Sequence, residues 1–151
     1  MFAVLAFLQI VACAPPPERA ESTLRRDLSA DQGYLDTIQR LSALNRKAAA
    51  SLESGARDQA AALVKQGLPL SAELLQVNRP TLGAMEAVSD LDHLYGKLLL
   101  SKGYPVWARQ MFVTNAVRWR QWKPESEDTL RRRREAEKAI AECDRLLKLD
   151  P

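Results

Sequence analysis

A chain of 151 residues, 46% hydrophobic and 27% charged, is long enough for one compact domain and too short for two well-formed ones, and its apolar share excludes wholesale disorder. One His and two Cys exclude zinc cages, which need three or four N/S ligands, and any centre built on a second imidazole. The net charge is only +3 at pH 7, so a strongly basic surface would have to come from a local cluster.

The chain opens on MFAVLAFLQIVAC, in which residues 2–12 are uncharged and almost wholly apolar before Ala14-Pro15-Pro16-Pro17. Such a run is too short to cross a hydrocarbon core, which takes about 20 residues of helix, and it reads as the h-region of a signal peptide over residues 1–12. Ile10-Val11-Ala12-Cys13 resembles the lipobox of bacterial lipoproteins, with an aliphatic residue at −3, small residues before the cut and Cys as the first mature residue. The resemblance implies a diacylglyceryl thioether on Cys13 and an acylated (palmitate-type) amine, the multi-chain attachment that stable membrane anchoring requires. It also implies the cell envelope as location. With Ala14 instead of Asp after the cysteine, it implies the periplasmic face of the outer membrane in a Gram-negative cell. With Cys13 lipidated, Cys143 has no disulfide partner and reads as a small core residue.

Residues 13–28 combine the lipid-bearing cysteine with a Pro triplet, charges and few large apolar groups, the composition of a tether. Residues 29–151 then read as a single α-helical domain. Runs of β-branched residues with period-two alternation are missing, and Ala, Leu, Glu, Arg, Lys and Gln dominate. Ser29-Ala30-Asp31-Gln32 has the spacing of a capping box. It leads into a first helix carrying Leu35, Ile38, Leu41, Leu44, Ala48 and Leu52 until Gly55. A short Ala-rich helix from Ala56 is expected to stop at Gly67, with Pro69 restarting a partner over 70–77. A longer helix is expected over 81–102, with Met85, Val88, Leu91, Tyr95, Leu98 and Leu99 inward. Two more follow, over 106–122 after Gly103 and Pro105, and over about 125–149 with a stripe of Ala136, Ile140, Cys143 and Leu147.

Gly67 and Gly103 stand 36 residues apart, as do Ala72 and Ala108, Leu63 and Leu99, and Ala60 and Gly96, which points to a repeat of helical hairpins. The second unit resembles a tetratricopeptide repeat. Gly96 fits the small position at the helix crossing, Gly103-Tyr104 the turn, Ala108 the second small position and Phe112 the large core position. Asn115 departs from the small residue usual at its place. The fold expected is all-α, made of antiparallel helical hairpins, either as an array like tetratricopeptide repeats or as a generic bundle. In that family the first helix of each hairpin lines a concave groove, and the resemblance implies that Asp90, His93, Lys97 and Ser101 form a partner-binding face.

Asp90, Asp92 and His93 invite a metal or acid–base reading. Too few ligands accompany them for a divalent site, and solvated side chains are the simpler expectation. No phosphate-cradling Gly loop, nucleophile elbow or HExxH spacing occurs; no enzyme activity, metal or cofactor is expected. The stretch 102–134 holds nine Lys and Arg against three acids and is interleaved with Trp107, Trp119 and Trp122. It offers a second surface, centred on Arg118, Arg120 and Lys123, for anionic lipid or cell-wall polymer. Acids spaced four residues from Arg131, Arg132 and Arg133 argue instead for internal pairing. The expected function is a membrane-anchored lipoprotein that binds another envelope protein without catalysis, the alternative being an electrostatic binder of the envelope surface; nucleic acid is not an expected partner.

Overall fold

A computed structural model describes residues 31–148. The signal segment, Cys13, the tether and Ser29 lie outside the described residues. Five helices follow in order: α1 (Gln32–Glu53), α2 (Arg57–Leu74), α3 (Leu82–Ser101), α4 (Pro105–Gln121) and α5 (Glu127–Leu147). There is no strand among the described residues, and the fold is all-α, built of antiparallel helical hairpins. α1 packs on α2 and α3, α2 on α3, α3 on α4, and α4 on α5. One apolar cluster joins α1, α2 and α3 around Leu41, Val64, Leu74, Val88, Leu91 and Leu98. A second joins Ala108, Phe112 and Cys143, with Leu99 and Leu100 closing it from α3.

The helix starts follow from short polar side chains that accept backbone N–H groups. Asp31 caps α1 by accepting from Gly33 N at 2.8 Å, Thr81 caps α3 from Ala84 N at 3.3 Å, and Ser126 with Thr129 forms a reciprocal capping box on α5. In α1 the inward stripe is Tyr34, Thr37, Leu41, Asn45, Ala48 and Ser51, whereas Leu35, expected inside, is exposed. An apolar count misses half of this stripe, because Thr37, Asn45 and Ser51 are polar. Thr37 Oγ1 lies 2.9 Å from Gly33 O and 3.1 Å from Glu73 Oε1, and Asn45 Nδ2 donates to Ala87 O at 2.7 Å.

The largest correction concerns α2. It does not stop at Gly67 but runs unbroken through Gly67 and Pro69. Pro69 and Lys65, one turn earlier, are both exposed, so the backbone bond that Pro69 cannot make lies on the outer side of the helix, where the usual cost of an interior proline is reduced. Gly67 is there for proximity: a Cβ would meet Leu91 Cδ1 at 2.8 Å and Leu41 Cδ1 at 3.0 Å. The hairpin turns are instead Gly55 and Gly103, with φ of 80° and 78°, the left-handed conformation that glycine adopts without a Cβ penalty. Matching bonds close both turns, Ala56 N to Ser51 O at 2.8 Å and Tyr104 N to Leu99 O at 2.9 Å.

The internal offset is therefore 48 residues, not 36. It pairs Ala48 with Gly96, Ala60 with Ala108, and Val64 with Phe112, all of them buried. The small residues of the first two pairs let the axes approach, and a Cβ on Gly96 would stand 2.5 Å from Phe112 Cε1. Phe112 is fully buried and cannot swing into solvent. Gly96→Ala is accordingly expected to lower stability by about 1 to 2 kcal/mol, overpacking outweighing the helix-propensity gain of up to ~1 kcal/mol. A thermal melt at or above the wild-type midpoint would show that Phe112 moves aside freely.

Candidate functional site

A groove of about 560 Å³ lies between α1 and α3, with Arg132 of α5 also in its wall. α1 supplies Ile38, Ser42, Asn45, Arg46 and Ala49 to its wall, and the α3 contribution includes Glu86, Asp90, His93, Leu94 and Lys97. Of the residues expected on the binding face, Asp90, His93 and Lys97 line this groove together. Ser101 does not: it is exposed at the end of α3, and its hydroxyl donates to Leu98 O at 2.8 Å. Asn45, Arg46, Ser42 and Glu86 were missed from sequence. The available signal was Asn45, a polar residue at a core position of the α1 stripe.

The chemistry of the groove is divided. Arg132 of α5 reaches Asp90 and, at 2.7 Å, Asp128, while burial pushes the Glu86 carboxyl above its ordinary range against the pull of Arg132. Arg46 and Lys97 are exposed and have no ion-pair partner among the described residues. Asn45 is 5% exposed, and with its amide N–H committed to Ala87 its Oδ1 has no hydrogen-bond partner among the described residues. A buried, unused carbonyl acceptor costs about 1 to 3 kcal/mol unless a donor is brought to it. The site can thus take a ligand that presents an N–H donor beside apolar atoms and a negative group.

His93 packs its ring on Phe112, centroids 5.5 Å apart. Burial, reinforced by Lys97 and opposed by Glu135 and Asp90, pushes its pKa below 6.5. The native state then binds fewer protons than the unfolded chain, so this contribution to stability is complete above 6.5 and is lost as pH falls through the lower native value. Glu86 acts with the opposite sign on the acid side. Chemical denaturation across mildly acidic to neutral pH should show wild-type stability falling more steeply on acidification than that of His93→Gln. Parallel profiles would remove His93 from the account.

Asp90, Asp92 and His93 do not form a joint centre. Asp90 turns to Arg132, His93 to Phe112, and Asp92 to Arg118, 2.9 Å away, so Asp92 is not the solvated carboxylate expected. Among the described residues no group of three or more His, Cys, Asp or Glu side chains is placed to hold a metal. The basic stretch is also redistributed. Arg118, expected at a surface, has a side chain only 10% exposed and also donates to Asn115 Oδ1. Arg120 is exposed but 3.6 Å from Glu137, and Lys123 pairs with Glu125 at 3.0 Å. Arg131 and Arg133 face acids on their own helix. The three expected cations thus do not share one free face, because acids from α3, α5 and the preceding loop reach each of them. Cys143 is fully buried against Ala108 and Phe112, with burial raising its thiol pKa.

Fold and site together define an all-α helical-hairpin protein with a lateral groove of mixed polarity. Comparison with protein-family models, with curated proteins and with solved structures gave no match. No helix among the described residues is long and apolar enough to cross a membrane.

Proposed function

We propose that the chain is a lipid-anchored, non-enzymatic envelope protein whose helical hairpins bind a peptide segment of another envelope protein in the groove between α1 and α3. The observation that carries this reading is Asn45: a buried amide in the wall of a groove, whose Oδ1 has no hydrogen-bond partner among the described residues and which is flanked by Arg46 and Lys97, without ion-pair partners among those residues. An extended peptide supplies what is wanted, a backbone N–H for Asn45, apolar side chains against Ile38 and Leu94, and a carboxylate for Arg46 and Lys97. The anchor rests on Ile10-Val11-Ala12-Cys13 at the end of an apolar run.

A photocrosslinker at Ser42, inside the groove, should capture a partner in intact cells, and the Arg46→Glu, Lys97→Glu pair should abolish the adduct without moving the melting temperature. Both residues are exposed, and such substitutions usually stay within about 0.5 kcal/mol. An adduct unchanged by the pair, or an identical adduct from a probe at exposed Gln66 on α2, would refute groove binding. The anchor is tested separately by intact mass after membrane extraction: processing at Cys13 with added acyl mass supports it, and a soluble chain retaining residues 1–12 refutes it.

A further inference from the structure

Away from the groove, the edge formed by α2 and the α3–α4 turn exposes apolar side chains that none of the described residues covers. Tyr104 is 53%, Val106 61% and Trp107 66% exposed, in three of four consecutive positions at the head of α4. Beside them a cavity of about 290 Å³ opens between α2 and α3, its walls including Val64, Leu68, Leu98, Leu99 and Tyr104. The charged residues lining it are Lys65 and Lys102, both exposed and neither with an ion-pair partner among the described residues. This is unlike the arginines of α4 and α5 described above, which are engaged by acids.

The arrangement has the layered chemistry of a water–lipid boundary. Tyr and Trp join an apolar body to a polar tip, and they favour the headgroup level of a bilayer. Lysines on long apolar stems keep their ammonium groups at the phosphates while the stems lie along acyl surface. A protein partner with an apolar face would also cover the aromatics. Among the described residues no carboxylate lines the cavity and its two lysines have no ion-pair partner, which favours an anionic partner that carries its own apolar layer. We infer that this edge is a membrane-facing surface, with Trp107, Val106 and Tyr104 entering the interface and Lys65 and Lys102 contacting anionic headgroups. It is separate from the groove and does not require the anchor at Cys13.

Trp107 reports on itself, because Trp119 is buried and Trp122 is half-buried. The full chain is mixed with vesicles of acyl-brominated phosphatidylglycerol or acyl-brominated phosphatidylcholine, and tryptophan emission is recorded. Quenching should be strong with phosphatidylglycerol and weak with phosphatidylcholine, and it should vanish in Trp107→Phe. It should need about tenfold more lipid in the Lys65→Glu, Lys102→Glu pair. Quenching that persists in Trp107→Phe, that is equal in the two lipids, or that ignores the lysine pair overturns the assignment. So does a chain held on vesicles by its N-terminal segment with Trp107 emission unchanged. Burial of Trp107 by self-association without lipid overturns it in favour of a second copy of the chain.

Discussion

Trp119→Ala should cost about 3 to 5 kcal/mol, the range for emptying a large aromatic from a core, and is expected to be the most damaging single substitution considered. Trp119 is 1% exposed, and three helices converge on it. Its indole N–H donates to Ser89 Oγ of α3 at 2.8 Å. The Arg132 guanidinium of α5 lies 5.6 Å from the ring centroid, and Trp122 meets it edge-on at 6.4 Å. Truncation therefore leaves a cavity, removes a cation–π contact and strands a buried hydroxyl. Trp119→Phe separates these effects: it keeps most of the volume and loses the hydrogen bond, for about 1 kcal/mol plus a packing remainder. Urea denaturation of the two variants measures the difference. An Ala variant within 1 kcal/mol of wild type, by the same principle of cavity cost, would show that α4 and α5 collapse around the vacancy.

Asp92→Ala is expected to lower stability by about 3 kcal/mol, because it strands the Arg118 charge at a site with little access to water. The two side chains are 17% and 10% exposed, so the pair is not screened as a surface bridge would be. The intact pair is not thereby a strong stabiliser. Burial, ahead of the attraction of Arg118, raises the Asp92 pKa, which means that its charged form is held at a cost relative to the unfolded chain. The Asp92→Leu, Arg118→Met double variant should consequently lose far less than the sum of its parts. A double-mutant cycle by denaturant titration gives the coupling directly, and additive losses would mean that the two charges are solvated independently.

How far the sequence could be read differs between helices. α3, α4 and α5 were placed to within about two residues because their boundaries are set by local chemistry, Thr81, Gly103-Tyr104-Pro105 and Lys123-Pro124, and their stripes are apolar. The Gly67–Pro69 pair misled because both residues are ordinary stop signals, while what holds α2 together there is tertiary: Leu41 and Leu91 press against Gly67. The same confusion produced the wrong repeat offset, since Gly67 serves a close approach and Gly103 a turn. Half of the groove was legible, the α3 side, through helical spacing from Gly96. The α1 side was not, because the residues that face α3 include Asn45, whose inward placement depends on a hydrogen bond to Ala87 O made across 42 residues. Arg118 was misplaced for a like reason, its acid lying on another helix.

The two apolar clusters are segregated along the chain. The first draws its buried members from Tyr34 to Leu98 alone, and the second waits for Ala108, Phe112 and Cys143. Helix packing runs between neighbours and next-neighbours in order, so contacts close short loops and folding should be fast for the chain's size. A polypeptide emerging from its N-terminus can complete the first three helices as soon as Ser101 is free, before α4 and α5 exist to compete for the same surfaces. Gly96 and Ser89, already in place on α3, then present the template onto which Phe112 and Trp119 dock, making assembly vectorial.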